Sequence, residues 1–258
     1  MPELTFEHLP KILEENKKIQ SDVHLTRNHY LQTFHPKGWG LIDGAKKFIG
    51  QQHYLIEAPI EDPTFGGFIR TTHTKKFICY INSAQPRMYQ NFIVFHELYH
   101  LITQFAELEQ LHFVEVGIDT NSKERKADYF ASLLLLDEHE LRAFFLSPEN
   151  NDEDLLSKVL LCMYTFKAPY KAVLIRLYEL GLMEIEDLAE LFDKKLNFDE
   201  AFKTMGRDPY ILEPSYVINF TSLEKLFEKN ALPPVIQLSN QSVFEEIRLF
   251  FSNLREEK

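Results

Sequence analysis

Apolar positions along the chain change texture three times. From residue 5 to 34 they recur at three- and four-residue steps, at Phe6, Leu9, Ile12 and Leu13, and then pass into a highly charged turn around Lys17 and Lys18. That spacing predicts a helical segment. Pro36-Lys37-Gly38-Trp39-Gly40 interrupts it, and Leu41 to Phe48 predicts a short helix ending at Gly50. Between Tyr54 and Asn82 come β-favouring runs, at 54–56, 67–72 and 77–81, separated by Pro63, Gly66 and Lys75-Lys76. Helical spacing then returns over 91–102, 120–136, 155–166, 169–180 (closed by Gly181) and 184–204, the last read as one amphipathic helix ended by Gly206-Arg207-Asp208-Pro209. The acidic run 148–154 predicts an exposed loop or linker. Near the end, Thr221 with Glu224 and Ser242 with Glu245 have capping-box spacing, on either side of Pro233-Pro234.

Within the first of the later helices, Phe92, Phe95, Tyr99 and Ile102 mark an apolar stripe that carries His96-Glu97-Leu98-Tyr99-His100. This is H-E-x-x-H: residues i and i+4 share a helix face, so both imidazoles reach one metal ion, and Glu97 stands beside the position of an attacking water. A third ligand must come from elsewhere. The metzincin continuation is excluded, because Thr103 and Ala106 occupy its Gly and His positions. In the next helix Asn121 and Glu124 have capping-box spacing, and Glu124, Asp128 and Ala131 share a stripe, with Ala127 and Ala131 small enough for another helix to approach closely. Alone, Glu124 reads as a first-turn acid and Asp128 as a solvated one. After H-E-x-x-H, Glu124 reads as a carboxylate ligand and Asp128 as the acceptor that sets a histidine tautomer.

The run Phe77 to Asn82, the H-E-x-x-H helix, and Glu124-x-x-Ala127-Asp128-x-Phe130-Ala131 followed by leucines together resemble the ImmA/IrrE family of zinc-dependent endopeptidases, strongly over positions 66 to 137 and more weakly at Arg176-Leu177-x-x-x-Gly181-Leu182. The resemblance implies Zn2+ held by His96, His100 and Glu124, with Glu97 as catalytic base and Asp128 behind the ligands. It implies a substrate too: a DNA-binding transcriptional repressor or antitoxin, encoded beside the peptidase on a phage or mobile element. The chain departs from the family pattern at Tyr99 (in place of Gly), at Arg87 (farther from the motif) and at Asp137 (in place of Pro). Tyr99 is expected to narrow the cleft. The oxyanion partner is left open among Tyr99, His112, Tyr129, Tyr164 and Tyr178.

The expected fold is α+β, with a small antiparallel or mixed sheet packed on a zincin-type active-site helix and mostly helical N- and C-terminal regions. Its parts are an N-terminal helical segment (1–40), a zinc peptidase core (41–147), a helical continuation (148–206) and a C-terminal accessory region (207–258). Apolar residues at 45% mark a globular chain, and a net charge of −11 argues against nonspecific nucleic-acid binding and favours a basic protein partner. Cys79 and Cys162 lack metal-ligand spacing and read as reduced core thiols. Without a signal-peptide pattern or an 18-residue apolar run, the expected location is cytoplasmic, with no membrane contact. Two other readings stand beside the peptidase: a regulatory protein-binding module whose zinc site is structural or vestigial, and a DNA-binding helix pair over 155–181, which the acidic charge opposes.

Overall fold

The computed structural model describes residues 4–72, 76–103, 112–115 (backbone only), 122–150, 153–222, 242 and 244–253. The capping pairs of Asn121 and Glu224, the Pro233-Pro234 break and the side chain of His112 lie outside the described residues.

A 3-10 turn opens into α1 (Leu9–His29), which runs unbroken through Lys17 and Lys18 and ends in a π-helical turn over Tyr30–Phe34. Helix α2 (Leu41–Gln52) continues two residues past Gly50, which it absorbs. Strands β1 (Tyr54–Ala58), β2 (Phe65–Thr71), β3 (Phe77–Asn82) and β4 (His112–Glu115) form one mixed sheet in the order β1-β3-β2-β4. β1 runs parallel to β3, and β2 is antiparallel to both β3 and β4. The α+β expectation is met.

Alternation along the strands sorts their side chains by face. Leu55, Ile69, Cys79 and Ile81 turn into the main core, whereas Ile56, Phe68 and Tyr80 turn to the other side. On the core side lies α3 (Arg87–Thr103), buried around most of its circumference from Ile93 to Leu101. Gly67 sits tight against both β3 and α3: a Cβ there would stand 2.5 Å from the Tyr80 carbonyl and 3.0 Å from Ile93 Cγ2. Only a residue without a side chain fits that spacing.

Helix α4 (Ser122–Leu135) packs along α3 through Ala127 and Ala131, both fully buried. Helix α1 lies along α4, and its Arg27 donates from Nε to the Leu133 carbonyl at 3.2 Å and pairs with Asp137. Asp137 also caps α5 (Glu138–Phe145), accepting from the backbone N–H groups of His139 and Glu140. The aspartate that departs from the family pattern therefore has two tasks, an N-cap and an anchor for α1.

The remaining helices are α6 (Leu155–Phe166), α7 (Tyr170–Glu179), α8 (Ile185–Phe192) and α9 (Phe198–Thr204). Asp154, at the end of the acidic run, caps α6. Gly181, at φ +65°, closes α7 with Leu182 N–H donating to the Leu177 carbonyl. The single helix expected over 184–204 is two. It breaks at Asp193–Asn197 because Asn197 takes an extended conformation and its side chain accepts from Glu200 N–H at 3.3 Å, starting a new helix. Both cysteines are free and buried.

After α9 the chain returns to the sheet. Arg87, at the start of α3, donates to the carbonyls of Tyr210 and Glu213. Further on, Glu57 and Asn219 exchange both backbone hydrogen bonds, at 3.0 and 2.8 Å, which extends the sheet beyond β1.

Candidate metal centre

α3 and α4 bring His96, His100 and Glu124 together. One turn of helix stacks the two imidazoles, and the small residues of α4 let its first turn come within reach of both. His96 Nε2 is 3.2 Å from His100 Nε2, and Glu124 Oε2 lies 3.0 and 3.3 Å from those nitrogens. All three residues are buried.

Behind the triangle, Asp128 Oδ1 stands 2.9 Å from His96 Nδ1. An ionised carboxylate only accepts, so Nδ1 donates, and in a neutral ring Nε2 carries the lone pair. That lone pair faces a carboxylate oxygen, an arrangement that needs a cation between them. In the metal-free chain a proton serves: burial alone would lower the His96 imidazolium, but the hydrogen bonds of Asp128 and Glu124, with the charges of Asp128 and Glu97, prevail and raise it to about 10. Burial likewise opposes ionisation of Glu124, yet hydrogen bonds to His100 and His96 draw its carboxyl below the usual range. A metal ion fits the same place. Tetrahedral zinc bonds of about 2.0–2.1 Å place ligand atoms about 3.3–3.4 Å apart, near the distances found here. Among the described residues, this is the group of histidine, cysteine and carboxylate side chains with metal-binding spacing.

Glu97 is fully buried beside this triangle, and neither carboxylate oxygen has a hydrogen-bond partner among the described residues. Burial, with the Glu124 charge and against the pull of His96, raises its carboxyl to about 8. Gly67 of β2 leaves it room, since a Cβ there would lie 3.4 Å from Glu97 Oε1.

Residues 52–178 match the family model Peptidase_M78, described as the IrrE N-terminal-like domain. The chain belongs to this family. The Peptidase_M78 match spans the sheet, α3 and α4, and so contains every group of the metal centre, while α1 and the stretch after 178 lie outside it. It gives the chain a metallopeptidase-type role. A search of curated proteins finds no match. No helix among the described residues is long and apolar enough to cross a membrane.

Tyr99, expected in the cleft, lies instead in the interior. Its ring is 5.5 Å from Phe130 of α4 and edge-on to His100, and burial, with the charge of Asp22 of α1, raises its hydroxyl to about 12. One residue on from Leu98 turns the side chain toward α4, so it supports the His100 ring. Of the other oxyanion candidates, Tyr129 faces Arg176, Tyr164 packs on Phe202 and Tyr210, and Tyr178 packs on the main core. Arg176, in the segment of the DNA-binding reading, is buried and donates to the Leu136 carbonyl just past α4. Sequence reasoning missed Arg125, whose guanidinium stands 3.5 Å from the outer oxygen of Asp128. Its place three residues before Asp128 was the available signal.

Proposed function

We propose that the chain is a zinc-dependent endopeptidase acting on a cytoplasmic protein, with His96, His100 and Glu124 as ligands and Glu97 as general base. Zinc in that position would supply a Lewis acid that polarises a peptide carbonyl and lowers the pKa of a water to about 7. Glu97 takes the proton of the attacking water and delivers it to the leaving amine. Asp128 holds the His96 ring with its Nε2 lone pair toward the metal. The observation that carries this reading is Glu97: a fully buried carboxylate with two oxygens unpartnered among the described residues is costly to a fold and has no use in a purely structural metal site.

A peptide substrate enters most simply as an added strand. The β1 edge is already paired with Asn219, so among the described residues β4 is the edge left for an extended peptide, next to the strand whose Gly67 lies against Glu97. The net charge of −11 favours a basic partner, and a DNA-binding repressor or antitoxin encoded beside the peptidase matches that chemistry. The competing reading, a regulatory module that binds this partner without cutting it, separates cleanly in Glu97→Gln. Cleavage of the neighbouring repressor disappears in that variant while zinc content and partner binding persist. Derepression at wild-type strength in Glu97→Gln would reject the peptidase reading in favour of binding.

A further inference from the structure

Behind α4 lies a set of buried polar groups that the proposed chemistry does not use. Arg125 Nη1 stands 3.5 Å from Asp128 Oδ2, while Asp128 Oδ1 engages His96. The Arg125 side chain is only 13% exposed, and its Nε is buried without a hydrogen-bond partner among the described residues. Its charge also acts on Glu179 of α7. Burial raises the Glu179 carboxyl, against the opposing pull of Asn16, Arg176 and Arg125. Glu179 accepts from Asn16 Nδ2 of α1 at 2.6 Å and pairs with Arg176 Nη1 at 3.4 Å. Asn16 and Arg176 are both buried, so α1 and α7 meet at the Glu179 carboxylate.

An Arg–Asp pair three residues apart on an exposed helix is worth little. Here the pair is largely removed from water, and the two oxygens of Asp128 have different partners. With one oxygen on His96 and the other on Arg125, the carboxylate cannot turn about its own axis without losing one of them. We propose that Arg125 is a positioning residue of the metal centre: by holding the outer oxygen of Asp128 it fixes the carboxylate plane, and through it the tautomer and orientation of the His96 ring. The inference rests on the assignment of His96 as a ligand.

The sign of the effect distinguishes this role from a bystander charge. Removing a cation near a metal ion should tighten the metal by relieving repulsion, whereas removing a positioning group should weaken it. In the full chain, Arg125→Gln is expected to weaken zinc by about three- to tenfold, measured by competition with a chromophoric chelator. That is at or below the low end of the roughly 10- to 100-fold expected of Asp128→Asn. Arg125→Lys restores most of the affinity, and Arg125→Gln adds nothing in the Asp128→Asn background. In metal-free protein, the proton resonance of His96 Nδ1–H should shift in Arg125→Gln and return in Arg125→Lys. If the Gln variant does not fold, Arg125→Met keeps the aliphatic stem and carries the same comparison. Unchanged or tighter zinc with an unmoved His96 resonance overturns the proposal, as does equal weakening with and without Asp128. A wild type that binds no zinc defeats the metal assignment instead, and the His96 resonance of the metal-free protein still decides the role of Arg125.

Discussion

The two faces of the sheet are covered by different means. Toward α3, side chains meet at particular atoms: Gly67 admits Glu97, Glu124 meets two imidazoles, and Asp128 divides its oxygens between His96 and Arg125. On the opposite face, Phe68 and Tyr80 stack directly across strands with centroids 5.2 Å apart, and Phe220, Phe244 and Phe251 close over the same cluster. There the chain is held by backbone exchange and ring packing. Apolar contact tolerates small shifts, whereas a ligand triangle does not, so the chemistry sits on the face with directional constraints.

The sharpest way to break this contrast is Glu124→Ala. Zinc affinity should fall by more than the roughly 10- to 100-fold of a change behind the ligands, read by chelator competition and by elemental mass spectrometry of the purified protein. Retained zinc at one ion per chain would show that another acid completes the site. The aromatic cluster should be untouched.

His53 tests the seam between α2 and β1. It is 3% exposed and packs edge-on to Phe77 at 5.2 Å, and burial, aided by Lys76, pushes its imidazolium down to about 4. Between about pH 6.5 and 4 the unfolded chain binds a proton that the folded chain does not. Stability is therefore lost as pH falls through that window, by up to roughly 3 kcal/mol. Urea titrations of His53→Gln across this range should show a flatter acid limb, and an identical slope in wild type and variant would assign the loss to other groups.

The smallest effect is expected where the C-terminal stretch meets β1. Asn219 donates from Nδ2 to Glu57 at 3.0 Å, while Glu57 also pairs with Lys46. Asn219→Ala should cost about 1 kcal/mol, the net value of a side-chain hydrogen bond, because the backbone exchange remains. Zinc affinity should not change. A parallel loss of zinc would mean that the β1 edge is mechanically coupled to the metal centre.

Different parts of this molecule were legible to different degrees. His96, Glu97 and His100 could be read from one helical turn, because the relation between i and i+4 is local geometry. Glu124 and Asp128 followed from a second helix whose small residues predicted close approach. The free cysteines and strands β1, β2 and β3 were likewise visible, but β4 was not. The direction of Tyr99 was not, since it depends on which side of α3 the second helix packs. Nor was the break at Asn197, where one capping side chain outcompetes an otherwise continuous helical period. Asp137 looked like a departure from the family pattern until Arg27, far earlier in the chain, was found against it.

What the sequence by itself determined is the inventory and its local spacing: two imidazoles and a carboxylate on one helix, two carboxylates on the next, and strands before them. Periodicity settles such relations because the backbone repeat is the same in every helix and strand. Only the tertiary structure decided that Asp128 meets His96, that Arg125 pairs with Asp128, that Tyr99 belongs to the interior, and that the chain after α9 returns to close the β1 edge. Those relations join residues through space, and side-chain packing selects among them only once the helices have docked.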